Sequence, residues 1–564
     1  ALAGLTITQS NGATFSGTVD TSDSSSGFIT ITDTENGSDI TFAGSVTTDT
    51  LNLAQQGYDL IFNGGGTFTN AVTFDNTGTL NLGNAAGDTF NFNGGVTETT
   101  NGTVTLASTI NSSNDAISFG AVTLGANTII DSIASSTTGD LTLGVVTGGS
   151  NTLTLSTGDN VANSDITASG NISGVTTLTL ADVGGTATFS ANVAAAALSA
   201  DSTVANLVFT GASNTFSAAS TLANDGTLQF GDATGDSFTF NGGLTTSDVG
   251  GTVTLNTSIS TSNDALVFGA ITLGNNVTID TNSTTTNRAD ITIAAVTGGS
   301  NTLTLTTENN VTGSDITASG AISGVTTLTL ASVGGTATLS ADVDVTTLSV
   351  DNTVANVAFT GNGSSVTNAF TPANDGTFVF GTSGGTQTYN AGLTTTSVGS
   401  TVTLNGTIAT SNDAVVLGAV TLGSATTVDT NATDNGADIT VAAITGGSNN
   451  LTLSTGDNIS GADITASGAI SGLGNLTLAD VGGTATFSAN VAVAVTQAGT
   501  GDILKLYDNT TEVFTVGDGN KVGIADSIYH IGNTDTSIRF PADDTFAVEI
   551  AGSERLRIAD SNLL

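Results

Sequence analysis

The sequence predicts an all-β fold: an elongated parallel β-solenoid (β-helix) shaft of ~149-residue repeats with a β-rich C-terminal fibre segment. Three observations predict it. First, a long repeat returns at an interval of 149 residues: Ser113-Asn114-Asp115-Ala116 recurs as Ser262-Asn263-Asp264-Ala265 and as Ser411-Asn412-Asp413-Ala414. Long near-identical repeats favour stacking, because neighbouring units bury a core that none can bury alone. Second, apolar residues alternate with Thr in short runs such as Leu141-Thr142-Leu143, Leu153-Thr154-Leu155, Leu178-Thr179-Leu180 and Val253-Thr254-Leu255. That period of two puts the apolar partners on one side of a strand. Third, helix formers are scarce: Lys and Arg total 6, and only six of the 48 acidic residues are Glu. Gly, Asn, Asp and Ser separate the runs, as turns require.

The chain divides into five parts. Residues 1–112 read as an N-terminal cap and partial repeat, because Thr89-Phe90-Asn91-Phe92-Asn93-Gly94 matches Ser237 to Gly242. Repeats follow at 113–261 and 262–410, with a partial third at 411–498. Ser164-Asp165-Ile166-Thr167-Ala168-Ser169-Gly170 returns at Ser314 and, with Ala462 in first place, at Ala462 to Gly468. Gly148-Gly149-Ser150-Asn151 returns at Gly298 and Gly446. These offsets are 150 and 148, so turns accept single-residue insertions. Asn11-Gly12, Asn93-Gly94, Asp225-Gly226 and Asp375-Gly376 are also the dipeptides of two-residue hairpin turns. The repeat length favours coils of roughly 20–25 residues rising ~4.8 Å each, a rod on the order of 100 Å long. Phe238, Phe240, Phe378 and Phe380 are the expected wide core layers.

Residues 499–564 differ chemically. Only Arg288 is basic before residue 500, whereas Lys505, Lys521, Arg539, Arg555, Arg557 and the sole histidine, His530, lie beyond it. The strings His530-Ile531-Gly532-Asn533, Ser537-Ile538-Arg539-Phe540-Pro541 and Gly552-Ser553-Glu554-Arg555-Leu556-Arg557-Ile558 closely resemble C-terminal repeats of tail-fibre and appendage proteins of tailed phages, marine ones especially. The resemblance covers about 65 residues of the chain. It implies an intertwined, trimeric β-fibre. The chaperone domain that often follows in that family does not appear in this sequence. The long repeats resemble haemagglutinin-type and autotransporter adhesin β-helices in composition. Both resemblances imply an extracellular or virion-surface location.

A formal net charge of −42 repels phosphates and anionic lipid, so neither nucleic acid nor membrane insertion is expected. No apolar run reaches the roughly 18 residues of a membrane helix. Cys is absent, which excludes disulfides and thiolate-bound metals. The chain opens at Ala1 without an initiator Met, as a processed product or an excerpt does.

No catalytic, cofactor-binding or metal-binding residue is expected. Asp115, Asp264 and Asp413 form the one candidate calcium ladder, set against an Asx turn that closes a coil without metal. Asp543-Asp544 is the only adjacent acidic pair in the tip and the candidate for the paired carboxylates of glycoside hydrolysis. Trp is absent and only Tyr58, Tyr389, Tyr507 and Tyr529 offer sugar-stacking rings, so a glycan depolymerase is a third-ranked reading. His530 reads as a strand residue rather than a ligand. Gly64-Gly65-Gly66 lacks the Lys of a phosphate loop and reads as a turn. Glu554, Arg555 and Arg557 read as cross-strand partners rather than an anionic-glycan site. The leading expectation is a non-enzymatic virion appendage or tail fibre: a rod that projects from the particle and mediates host attachment. Its expected partners are copies of itself, as a homotrimer by the resemblance, other virion proteins, and a host surface glycan or protein receptor. The alternative is a bacterial cell-surface adhesin or self-assembling extracellular filament subunit.

Overall fold

The computed structural model describes residues 2–22, 26–98, 102–136, 138–159, 161–283, 289–308, 311–433, 436–456 and 459–489, and beyond them 504–508, 511–517, 521–524, 527–530, 533–542, 545–559 and 562–563. Two compact units result, Ala1–Asn490 and Val491–Leu564. Charge alone places the boundary at 499. No helix occurs among the described residues.

The first unit is a parallel β-solenoid of about 21 turns. Three strands make one coil, and each pairs in parallel with its counterparts in the coils below and above. The three resulting faces can be named by a residue on each: face A by Ile117, face B by Val122 and face C by Ile130. Coils vary in length because the corners vary: the coil that leads from Val104 to its partner Val122 is much shorter than the one that leads from Ala13 to its partner Ile40. The strand centres keep their register regardless. Leu-Thr-Leu runs show the expected alternation, with Leu141, Leu143, Leu153 and Leu155 buried and Thr142 exposed. Each buried Leu, Ile, Val or Phe contributes about 1.5–3 kcal/mol before the entropy of ordering is subtracted.

The sequence repeat and the coil do not share a period. Seven rungs up face A run Ile117, Leu141, Ile166, Ala187, Leu207, Leu228, Val253 and Ile271. The repeat equivalent of Ile117, however, is Leu266, one face earlier in the winding than Ile271. Ile271 is the equivalent of Val122, on face B. The second repeat behaves identically: from Leu266 seven rungs pass Ile291, Ile316, Ala337, Val357, Phe378 and Val402 and arrive at Val420, not Val415. One repeat is therefore seven coils less one strand, six and two-thirds coils. Each repeat advances ~32 Å, taking ~4.8 Å per coil, and turns its surface by one face.

Corners are closed by buried polar groups. Asn224 is fully buried and donates from Nδ2 to the carbonyls of Ala205, Gly226 and Thr227 at 3.4, 3.1 and 3.0 Å. Asn76 and Asn374 do the same in their own repeats. The Asp225-Gly226 and Asp375-Gly376 dipeptides lie at these corners, between strands that pair in parallel with other coils, so they are not hairpin turns. Phe238, Phe240, Phe378 and Phe380 are buried as expected. Aromatic rings stack between coils, as in Phe189 on Phe209 at 4.9 Å and Phe216 on Phe240 at 4.8 Å.

The second unit is antiparallel. Leu504–Asp508, Thr511–Gly517 and Lys521–Ile524 form a three-stranded sheet. Ser527–His530, Asn533–Ala542, Thr545–Ile550, Ser553–Ala559 and Asn562–Leu563 form a five-stranded meander.

Candidate functional site

The Ser-Asn-Asp turns are corner closures. Asn114, Asn263 and Asn412 adopt left-handed backbone, with φ of 67°, 76° and 70°, a conformation Asn tolerates better than most residues. Asn114 Oδ1 accepts from the backbone N–H of Ser135 and Ser136 in the next coil at 2.6 and 3.0 Å, and Asn412 Oδ1 accepts from Thr433 N–H at 2.8 Å. A buried hydroxyl ties off each turn: Thr261 Oγ1 donates to the Asp264 carbonyl at 2.7 Å, and Ser112 and Thr410 serve Asp115 and Asp413 alike. The screw relation separates the three aspartates by nearly seven coils and places them beside three different faces. They cannot form a ladder. Among the described residues no group of three His, Asp or Glu side chains is placed to hold a metal.

Asp543 and Asp544, and the side chains of His530, Tyr507 and Tyr529, lie outside the described residues. Tyr58 and Tyr389 are fully buried. Burial pushes both phenols above their ordinary range, and neither ring is available to a sugar. Gly64 and Gly65 form a stacked corner that leads into the strand Gly66–Phe68: a Cβ on Gly64 would meet the Gly44 carbonyl carbon at 2.6 Å, and Gly65 has a φ of 74°. Arg557 grips Glu554 with two bonds of 2.9 and 2.7 Å, which draws that carboxyl below its usual range. Arg539 pairs with Glu549 across neighbouring strands at 3.0 Å.

Two features remain for recognition. The first is one face of the C-terminal meander. Ile528, Ile538, Val548 and Leu556 lie opposite one another across four strands, and Phe546 lies opposite Ile558. Ile528, Ile538, Phe540, Ile550, Leu556 and Ile558 are all exposed. The small residues Ser537 and Ala547, of opposite parity, are the buried ones. A contiguous apolar sheet face left exposed in one chain is the mark of an interaction surface. The alternation Ile538-Arg539-Phe540 and Leu556-Arg557-Ile558 carried this signal in the sequence.

The second is an open groove of about 290 Å³ on the shaft, lined by Ser300, Gly324 to Thr326, Asp344 to Thr346, Ser365 and Thr367. It sits where the strands Ile322–Ala331 and Val343–Val350 bend from face A to face B. Their register slips between Ser323 and Val325, and Gly324 supplies a φ of 66° at that bulge. The Gly298-Gly299-Ser300-Asn301 corner packs on it: Ser300 N–H donates to the Gly324 carbonyl at 2.8 Å, and a Cβ on Gly298 would meet Gly324 backbone at 2.5 Å. Sequence reading missed the groove. Its signal was the change from Ala194 and Ala196 in the first repeat to Asp344 and Thr346 in the second.

No protein-family model, curated protein or solved structure matches this chain.

Proposed function

We propose that the chain is a structural, non-enzymatic fibre protein, an appendage of a tailed-phage-type virion that projects from the particle and serves host attachment. The fold is compatible with a fibre or adhesin-like structural role. The observation that carries the reading is the buried core of the first unit, which runs from Ile29 to Ile470 through successive parallel rungs. Such a core makes a stiff spacer, because every backbone pair along the axis is backed by an internal side-chain ladder. The resemblance of residues 500–564 to phage fibre termini supports the virion assignment, and the exposed apolar face around Ile538 and Leu556 supports self-association at that unit. Other virion proteins at one end and a host surface receptor complete the set of proposed partners.

Two measurements test it. Negative-stain images of the purified chain are expected to show thin rods; compact globules would sink the shaft role. Gold-labelled antibody is expected on phage particles; label confined to cell envelopes would overturn the virion assignment.

A further inference from the structure

We propose that the groove beside Gly324 binds a neutral glycan, with Asp344 and Thr346 as its principal hydrogen-bonding groups. The proposal rests on the attachment reading above and gives it a site on the shaft. Ser300, Asp344, Thr346 and Thr367 are exposed around the groove, and among the described residues none of their side chains is engaged in a hydrogen bond or ion pair. Thr326 Oγ1, by contrast, is held by the Asn301 carbonyl at 3.1 Å, and Ser365 Oγ accepts from Asn390 at 3.2 Å. The free set offers hydroxyls that donate and accept, and one carboxylate that only accepts. A ligand suited to it must bring several donors and acceptors at short spacing, which vicinal sugar hydroxyls do.

Other ligand classes fit less well. An anionic ligand would face Asp344 and a chain of net charge −42. A peptide cannot add as a strand, because both bordering strands are already paired on each side. An apolar ligand would find only Val325 and Val345, both buried. The volume, near the lower end for small-molecule sites, suits one or two sugar units.

The molecule contains its own control. In the first repeat the same bend recurs at Gly174, with φ of 67° and the same register slip between Ser173 and Val175. There Ala194 and Ala196 stand where Asp344 and Thr346 stand in the second repeat. The double variant Asp344→Ala/Thr346→Ala therefore writes into the second repeat residues that this corner already accommodates.

The experiment uses the full chain and immobilised oligosaccharides, one set neutral and one sulfated or uronate-bearing, read by surface plasmon resonance and titration. Wild type is expected to bind a neutral member with millimolar to high-micromolar affinity, at one site per chain. Asp344→Ala/Thr346→Ala is expected to weaken that binding at least tenfold. The reciprocal Ala194→Asp/Ala196→Thr is expected to raise the stoichiometry to two. Unchanged binding in the first variant, preference for the anionic set, or no neutral oligosaccharide bound would each overturn the proposal. Attachment of labelled rods to host cells is scored separately. If rods attach as well with the double variant as without it, the groove proposal falls and the attachment reading stands.

Discussion

Ile117 and Leu266 hold the same place in successive repeats, yet Ile117 lies on face A and Leu266 on face C. The cause is the fractional coil count of six and two-thirds, which makes the repeat a threefold screw element rather than a simple stack. A chemical group encoded once per repeat is shown on each side of the shaft in turn. Only after three repeats, ~96 Å at ~4.8 Å per coil, would it return to its starting face.

A whole-repeat deletion tests this relation. Removing residues 113–261 joins Ser112 to Ser262, and the strand at Leu266 then meets Val96, as Ile117 does now. Every rung beyond the seam keeps a partner of familiar sequence. The shortened chain is expected to fold, with rods shorter by ~32 Å in negative stain. Aggregation, or a length change far from that figure, would count against six and two-thirds coils.

Ile133 is the position where the first repeat is least suited to its backbone. It has a φ of 44°, a left-handed conformation that a β-branched residue adopts only under strain. The second and third repeats carry Asn282 and Asn431 there, at φ of 45°. Their Nδ2 groups donate to the Thr261 and Thr410 carbonyls at 2.9 and 3.0 Å. Ile133→Asn is expected to stabilise the shaft by about 1–2 kcal/mol, from relief of strain and one added hydrogen bond. A lower denaturation midpoint for the variant would contradict this.

Asn224 has the opposite expectation. Its amide serves three carbonyls in a fully buried corner. Asn224→Leu removes those bonds while each carbonyl keeps a backbone N–H donor, and it is expected to cost about 1–2 kcal/mol. Urea unfolding followed by circular dichroism measures it, and a negligible loss would refute the capping role.

Asp280 gives the shaft a pH dependence. Burial, and then the neighbouring Glu308, raise its carboxyl from 3.8 to about 6, against the Asn282 N–H bond that lowers it. A folded carboxyl of raised pKa holds its proton more tightly than the unfolded chain does. Its contribution to stability is therefore full below pH ~4 and is lost as the pH climbs through ~6. With Asp280 only partly buried, the expected loss is about 1–2 kcal/mol. Asp280→Asn is expected to remove this step between pH ~4 and ~6. A wild-type curve flat across that window would contradict the assignment.

Much of the shaft was legible in the sequence because its signals are local and repeated. Leu-Thr-Leu alternation names the buried side of a strand, and the Ser-Asn-Asp recurrences name equivalent corners. The face on which each equivalent corner lands was not legible, since it depends on corner lengths that vary coil by coil, short where Val104 meets Val122 and long where Ala13 meets Ile40. Asp225-Gly226 could not by itself decide between hairpin and coil for a related reason: a tight dipeptide marks a turn but not whether its flanking strands pair with each other. The groove at Asp344 was missed because nothing local distinguishes an outward Asp beside a concave bend from one on a flat face.

The C-terminal sheet supplies the last expectation. Ile538 stands between Ile528 and Val548 in the apolar row, with Leu556 beyond. Lys at one such position puts a charge in the middle of any interface that buries this face, while leaving the solvated chain little changed. Ile538→Lys is expected to shift the full chain from an oligomer toward monomer, read as native mass at micromolar concentration. Val379→Lys, an outward change on the shaft, is the matched control and is expected to leave the mass unaltered. A wild-type chain that is already monomeric, or an Ile538→Lys chain of unchanged mass, would remove this face from the account of self-association.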